Sequence, residues 1–149
     1  MEHIMDLIRS RRSVRTFAAR EIPQNVLEDV MRYANGITNP YGIPVRFVLL
    51  NAKEHGLSSP VISGGDWYIG AAVGSEPHAE EAFGFAFESM VLYAQSLGLG
   101  TTWIGGTMNR GLFERAMDLK GDERMLCVTP LGYPAEKMSL RETMMRKGV

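Results

Sequence analysis

The densest chemistry in the chain lies near its amino terminus. Arg11, Arg12 and Arg15, with the Ser13 hydroxyl among them, set three guanidinium forks and a short donor within five residues. Guanidinium groups pair bidentately with phosphate oxygens, so this cluster suits a phosphate; a solvated surface run has the same composition. A second candidate is Gly105-Gly106, directly after Thr101-Thr102-Trp103-Ile104. Paired glycines after an extended run let the backbone approach a flat ligand and expose peptide N–H groups to it, or they simply turn a strand into a helix. A third is Asn39-Pro40-Tyr41-Gly42-Ile43-Pro44, a rigid turn able to lay Tyr41, Gly42 and Ile43 along a ring system, or a plain loop.

Conventional catalytic hardware is thin. His3, His55 and His78 stand apart without metal-ligand spacing, and a single cysteine excludes a paired-cysteine zinc pattern. No Walker loop or nucleophile elbow occurs, and neither Gly98-Leu99-Gly100 nor Gly105-Gly106 makes the dinucleotide fingerprint. Cys127 lies in an apolar strand, where packing is the expected role. No side chain is therefore assigned as catalytic and none as a metal ligand. Such a chain either binds a ligand or borrows reactivity from a cofactor.

With 149 residues, 45% hydrophobic and 22% charged, the chain suits one domain, residues 1–149, burying roughly 68–70% of its unfolded surface. No apolar run is long enough to span a membrane, and the opening Met1–Arg15 stretch lacks the apolar core of a signal peptide. One cysteine fits a reducing cytoplasm. Residues 1–20 hold five arginines against two acids, and residues 135–149 hold four basic residues against two acids. The remainder carries 7 basic and 13 acidic residues. Two basic ends flank an acidic middle, so they either match helix ends or converge on one anion. The formal net charge of −1 argues against nucleic acid as that anion.

Elements must position these candidates. Ile4, Leu7 and Ile8 predict a helix over residues 2–11, running into an extended exit. Pro23 suits a helix start, Val26, Leu27, Val30, Met31 and Ala34 an inner face, and Gly36 its end. Strands are expected at Val45–Leu50, Trp67–Val73, Thr101–Ile104 and Arg124–Leu131, with a polar connection over 51–66. Pro77–Leu97 reads as a long, central, mostly buried helix, and Asn109 as the cap of a last helix. Alternating helices and strands around one core make an α/β or α+β architecture with a mixed sheet.

Taken together and in order, Arg-Arg-Ser-Val-Arg-Thr-Phe, Asn-Pro-Tyr-Gly-Ile-Pro-Val-Arg-Phe, Gly-Leu-Gly-Thr-Thr-Trp-Ile-Gly-Gly and Pro-Leu-Gly-Tyr-Pro-Ala-Glu-Lys resemble the nitroreductase family of flavin enzymes, nearest a compact branch. The resemblance covers nearly the whole chain. It implies an α+β fold: an α/β sandwich with a mixed, mainly antiparallel central sheet flanked by helices, dimeric, with FMN at the subunit interface. Arg11, Arg12, Ser13 and Arg15 would hold the FMN phosphate, ribityl chain and polar ring edge. Trp103, Ile104, Gly105 and Gly106 would lie against the isoalloxazine, a glycine N–H near flavin N5. Lys137 and Arg141 would reach the phosphate from the C-terminal side. NAD(P)H would be the transient donor, passing a hydride through flavin N5 to a small-molecule acceptor such as a nitroaromatic or quinone. The family often carries asparagine and glutamine where this chain has Tyr41 and Ile43, and many relatives run on into a longer basic tail. The chain is thus either minimal or truncated at its C-terminus. Two rival expectations remain: a flavin-binding or interaction protein without turnover, and a small dehydrogenase using nicotinamide alone.

Overall fold

The computed structural model describes residues 3–137 together with 143, 144 and 147. Its elements are helix α1 (Ile4–Ser10), helix α2 (Gln24–Asn35), strand β1 (Arg46–Asn51), the one-turn helix α3 (Ala52–His55), strand β2 (Trp67–Val73), helix α4 (Ala79–Ser96), helix α5 (Arg110–Met117) and strand β3 (Arg124–Leu131). The strands form an antiparallel sheet in the order β1-β2-β3. Period-two alternation along β2 sends Ile69, Ala71 and Val73 to one face and Tyr68 and Ala72 to the other. The first face packs on α2 and α4, the second on α5 and the loops, which makes an α+β sandwich.

Each layer follows from its sequence. α2 begins where the Pro23 carbonyl accepts the Val26 and Leu27 N–H groups, and it buries Leu27, Val30 and Ala34. α4 is apolar nearly all round and buries nine residues, so it belongs inside. Full burial of Phe87 alone contributes about 1.5–3 kcal/mol. Its start lies later than Pro77 because His78 adopts a left-handed conformation (φ 68°), which no helical turn can include. α5 approaches the sheet at Gly70, where any Cβ would collide with the Met117 side chain. Asn35 reaches from α2 to the edge of β1, accepting the Phe47 N–H and donating to the Phe47 carbonyl.

Three expectations are corrected. The first helix covers Ile4–Ser10 rather than 2–11; residues 1 and 2 lie outside the described residues. The connection 51–66 contains α3, capped by the Asn51 side chain accepting the Glu54 N–H. Thr101–Ile104 is no continuous strand. It runs antiparallel beside β3 through two isolated bridges, Gly100 to Gly132 and Ile104 to Val128. Between them Thr102 faces Pro130, which has no N–H to give. The Thr129 hydroxyl fills the gap: it accepts the Thr102 N–H at 3.0 Å and donates to the Pro130 carbonyl at 2.7 Å. On the far side Ser13 bridges Thr101 in parallel, which supplies the mixed character of the sheet.

Candidate flavin site

The arginine-rich segment is threaded among three other parts of the chain. Val14 N–H donates to the Thr101 carbonyl, Phe17 N–H to Ser63, Ala18 N–H to Tyr133, and Ala135 N–H to Thr16. These bonds hold residues 13–18 extended, so neighbouring side chains leave on opposite sides. Val14 is buried, and it shares with Arg12 a recess of about 170 Å³ lined also by Gln95, Gly98 and Pro134. Arg11 instead packs toward α4, where its Nε stands 3.9 Å from Glu88 Oε1. Ser13 and Arg15 are half-buried.

Arg11 is the most constrained of the cluster. Its side chain is only 20% exposed, and Nε and Nη2 are buried without a hydrogen-bond partner. A separation of 3.9 Å compensates charge but makes no hydrogen bond. A buried donor left this way costs about 1–3 kcal/mol, and more when charged. The same Glu88 carboxylate accepts the Trp103 indole N–H at 2.9 Å, and the indole meets Phe87 edge-on at 4.6 Å between centroids. Glu88 thus gathers Arg11 and Trp103 onto one face of α4, leaving the large Trp103 ring 41% exposed.

The glycine pair follows at once. Ile104 is buried and doubly paired with Val128, so the chain is anchored up to the point where Gly105 and Gly106 emerge exposed. Neither glycine has a positive φ. A Cβ on Gly106 would meet nothing within 4 Å, and one on Gly105 only ordinary contact with the Leu126 carbonyl. The chain's own packing therefore does not call for glycine here. Arg110 Nη2 donates to the Gly105 carbonyl, and Asn109 caps α5 by accepting the Leu112 N–H.

The Asn39–Pro44 turn is placed elsewhere. The Asn39 amide ties it, donating to the Ile43 carbonyl at 2.7 Å and accepting the Tyr41 N–H at 3.1 Å. Tyr41 stacks on His78 at 5.2 Å, Gly42 takes the left-handed conformation (φ 63°), and the Ile43 side chain is buried in the core. His78 precedes α4 whereas Glu88 lies ten residues along, about 15 Å at the helical rise. One protomer does not bring this turn to Trp103 and Gly106. Lys137 is exposed, two residues beyond the Ala135 bond to Thr16. Arg141 lies outside the described residues.

Sequence reasoning missed Glu88 and Arg110. Glu88 left a trace, as the single charged residue between Glu81 and the end of α4. Arg110 left none. Burial pushes the Cys127 thiol up to about 12 despite the nearby Arg110 charge, so it is protonated and inert at neutral pH. Among the described residues no group of three or more His, Cys, Asp or Glu side chains is arranged to hold a metal ion, and no helix is long and apolar enough to cross a membrane.

An α+β sandwich of this kind has relatives. A family model described as "Putative TM nitroreductase" matches residues 3–149, and the chain belongs to that family of oxidoreductases. It is 27% identical to a "Putative NADH dehydrogenase/NAD(P)H nitroreductase" of Methanothermobacter thermautotrophicus, over 93% of this chain and 81% of the relative. The fold is shared with a crystal structure of the same description from Bacteroides thetaiotaomicron (TM-score 0.75, 20% identity, 93% of this chain and 90% of that one). It is shared also with a nitroreductase with bound FMN from Bacteroides fragilis (TM-score 0.69, 20% identity, 94% and 92%).

Proposed function

We propose that this chain, folded as a single nitroreductase-like domain, is an FMN-dependent oxidoreductase moving a hydride from NAD(P)H to a nitroaromatic, quinone or similar small acceptor. One observation carries the reading. Arg11, whose Nε and Nη2 are buried without hydrogen-bond partners, shares the Glu88 carboxylate with an exposed indole, and that indole leads within two residues to a glycine pair that the protein's own packing does not require. Those features fit a planar ligand bearing an anion, and FMN is both. The bound flavin of the Bacteroides fragilis relative supports the choice.

Arg11, Arg12, Ser13, Arg15 and Lys137 are the residues that would hold the phosphate, ribityl chain and polar ring edge. The Trp103–Gly106 backbone would meet the isoalloxazine. The chemistry FMN supplies when bound is acceptance of a hydride at N5 and its delivery to an acceptor. The protein's tasks are to grip, to orient and to keep water out, none of which needs an acid–base side chain. The Asn39–Pro44 turn lies about 15 Å along α4 from Glu88. In this reading Tyr41, Gly42 and Ile43 therefore reach the ring only from a second copy, in a homodimer with FMN at the interface.

The test is a fluorescence-quenching titration of FMN against the parent and Gly106→Val. The valine meets open space within the chain, so the fold should persist while flavin binding is lost. Full occupancy in that variant contradicts the placement. Binding without turnover is favoured by one feature: Tyr41 is engaged on His78 and Ile43 sits in the core, so the turn offers the ring little side-chain chemistry. Steady-state NAD(P)H oxidation with menadione or nitrofurazone separates the two readings.

A further inference from the structure

We infer that Arg110 is a positioning residue that orients the Gly106 N–H toward the N5 side of a bound flavin; the inference rests on the flavin reading above. Arg110 opens α5, and among the described residues its guanidinium faces main-chain carbonyls with no carboxylate in hydrogen-bonding range. Nη1 donates to Met125 at 2.6 Å, and Nη2 donates to Gly105 at 2.6 Å and Leu126 at 3.3 Å. Met125 and Leu126 belong to β3, so the guanidinium staples the exposed glycine loop to a strand of the sheet, at the irregularity between the Ala72–Met125 and Gly70–Val128 pairs.

The consequence is geometric. No cis bond occurs among the described residues, and in a planar trans peptide the carbonyl and the N–H point in opposite directions. The Gly105 carbonyl and the Gly106 N–H share one such plane. Pinning the carbonyl with a short, charge-assisted bond therefore fixes the N–H as well. Among the described residues no acceptor takes that N–H. The donor is held in place before any ligand arrives, so no reorganisation is needed when an acceptor atom comes within reach. A guanidinium grips the carbonyls of both segments with a rigid planar fork, whereas an ammonium bonds them through rotatable donors on a flexible stem and fixes them less firmly.

The experiment compares FMN with 5-deaza-FMN, in which the N5 acceptor is replaced by C–H. Both are titrated against the parent, Arg110→Gln and Arg110→Lys, with circular dichroism confirming each fold. The parent should bind FMN about fivefold tighter than its deaza analogue, the size of one ordinary hydrogen bond. In Arg110→Gln the preference should vanish while affinity for the deaza analogue stays at the parent's value. Arg110→Lys should keep part of it, and serves if the glutamine variant does not fold. A merely structural role would weaken both ligands equally. An unchanged preference in the variants, or none in the parent, overturns the assignment while leaving the flavin reading intact. A parent that binds neither ligand overturns that reading and this one with it. Amide exchange at Gly106 in the ligand-free protein then shows separately whether Arg110 holds the loop, by faster exchange in Arg110→Gln.

Discussion

At Arg11 two buried donors stand next to a carboxylate that is close enough to compensate their charge and too far to bond them. That residue sets the first expectation: a partner with several acceptor oxygens improves it, and its neighbours on the same segment should share the load. Arg12→Ala and Arg15→Ala should each weaken FMN binding by about 1.5–3 kcal/mol if a charge-assisted bond is lost, as read from equilibrium titration. Because Arg12 lines the recess beside Gly98 and Pro134 and Arg15 does not, a larger loss at Arg12 than at Arg15 would place the phosphate at that recess. Cys127 gives the opposite kind of forecast. Its thiol is buried and pushed up to about 12, so Ellman's reagent should label it only after denaturation; rapid labelling of folded protein would contradict the burial. The residue scale is also where sequence reading stopped short. The arginines and glycines announced themselves by type and spacing, whereas Glu88 and Arg110 act through bonds to distant carbonyls and an indole. No local pattern encodes such bonds.

Among elements, strands with unbroken apolar burial were legible from end to end. Trp67–Val73 and Arg124–Leu131 emerge with the expected bounds because each buries both faces, and α2 does so because Pro23 and Gly36 mark its ends. Thr101–Ile104 failed for a reason sited elsewhere in the chain: Pro130, opposite Thr102, lacks the donor that a ladder needs. The Thr129 hydroxyl is therefore the joint between the glycine-bearing segment and β3. Thr129→Val keeps the volume but strands one donor and one acceptor in a fully buried site. It should lower stability by about 1–3 kcal/mol in urea unfolding, with Thr129→Ser close to the parent. A second joint is ionic. Arg46 on β1 donates to both oxygens of Glu123, at 3.0 and 2.8 Å. That hydrogen bond holds the Glu123 carboxyl below its ordinary range. A depressed carboxylate pKa stabilises the fold above the unfolded value and loses that contribution as pH falls through the folded one. Glu123→Gln should thus lower Tm at neutral pH, and the gap should close as pH falls below the ordinary carboxylate range. A gap independent of pH would sink the ion-pair account.

For the whole molecule, large exposed apolar side chains include Ile4, Met5 and Ile8 on α1, Phe85 on α4, and Tyr41 and Trp103 in the loops. If two copies meet through these surfaces, light scattering should report twice the chain mass, and flavin should bind only under conditions that keep the pair together. A clean monomer that retains FMN would mean that the Asn39–Pro44 turn has no part in the site. The general architecture was readable in advance because helices and strands alternate and each carries a clear inner face. The separation of that turn from the arginine cluster was not, since it depends on where α4 lies in space.

The arginine stretch owes its extended shape to partners at Ser63, Thr101, Tyr133 and Ala135, all far downstream of it. During synthesis residues 11–18 leave the ribosome before every one of these partners and cannot finish docking until Ala135 has followed, so their assembly is a late long-range event in the folding of this domain. Ligand-gripping competence should accordingly arrive late and all at once, and a nascent chain arrested before Tyr133 should have its first basic segment still open to protease.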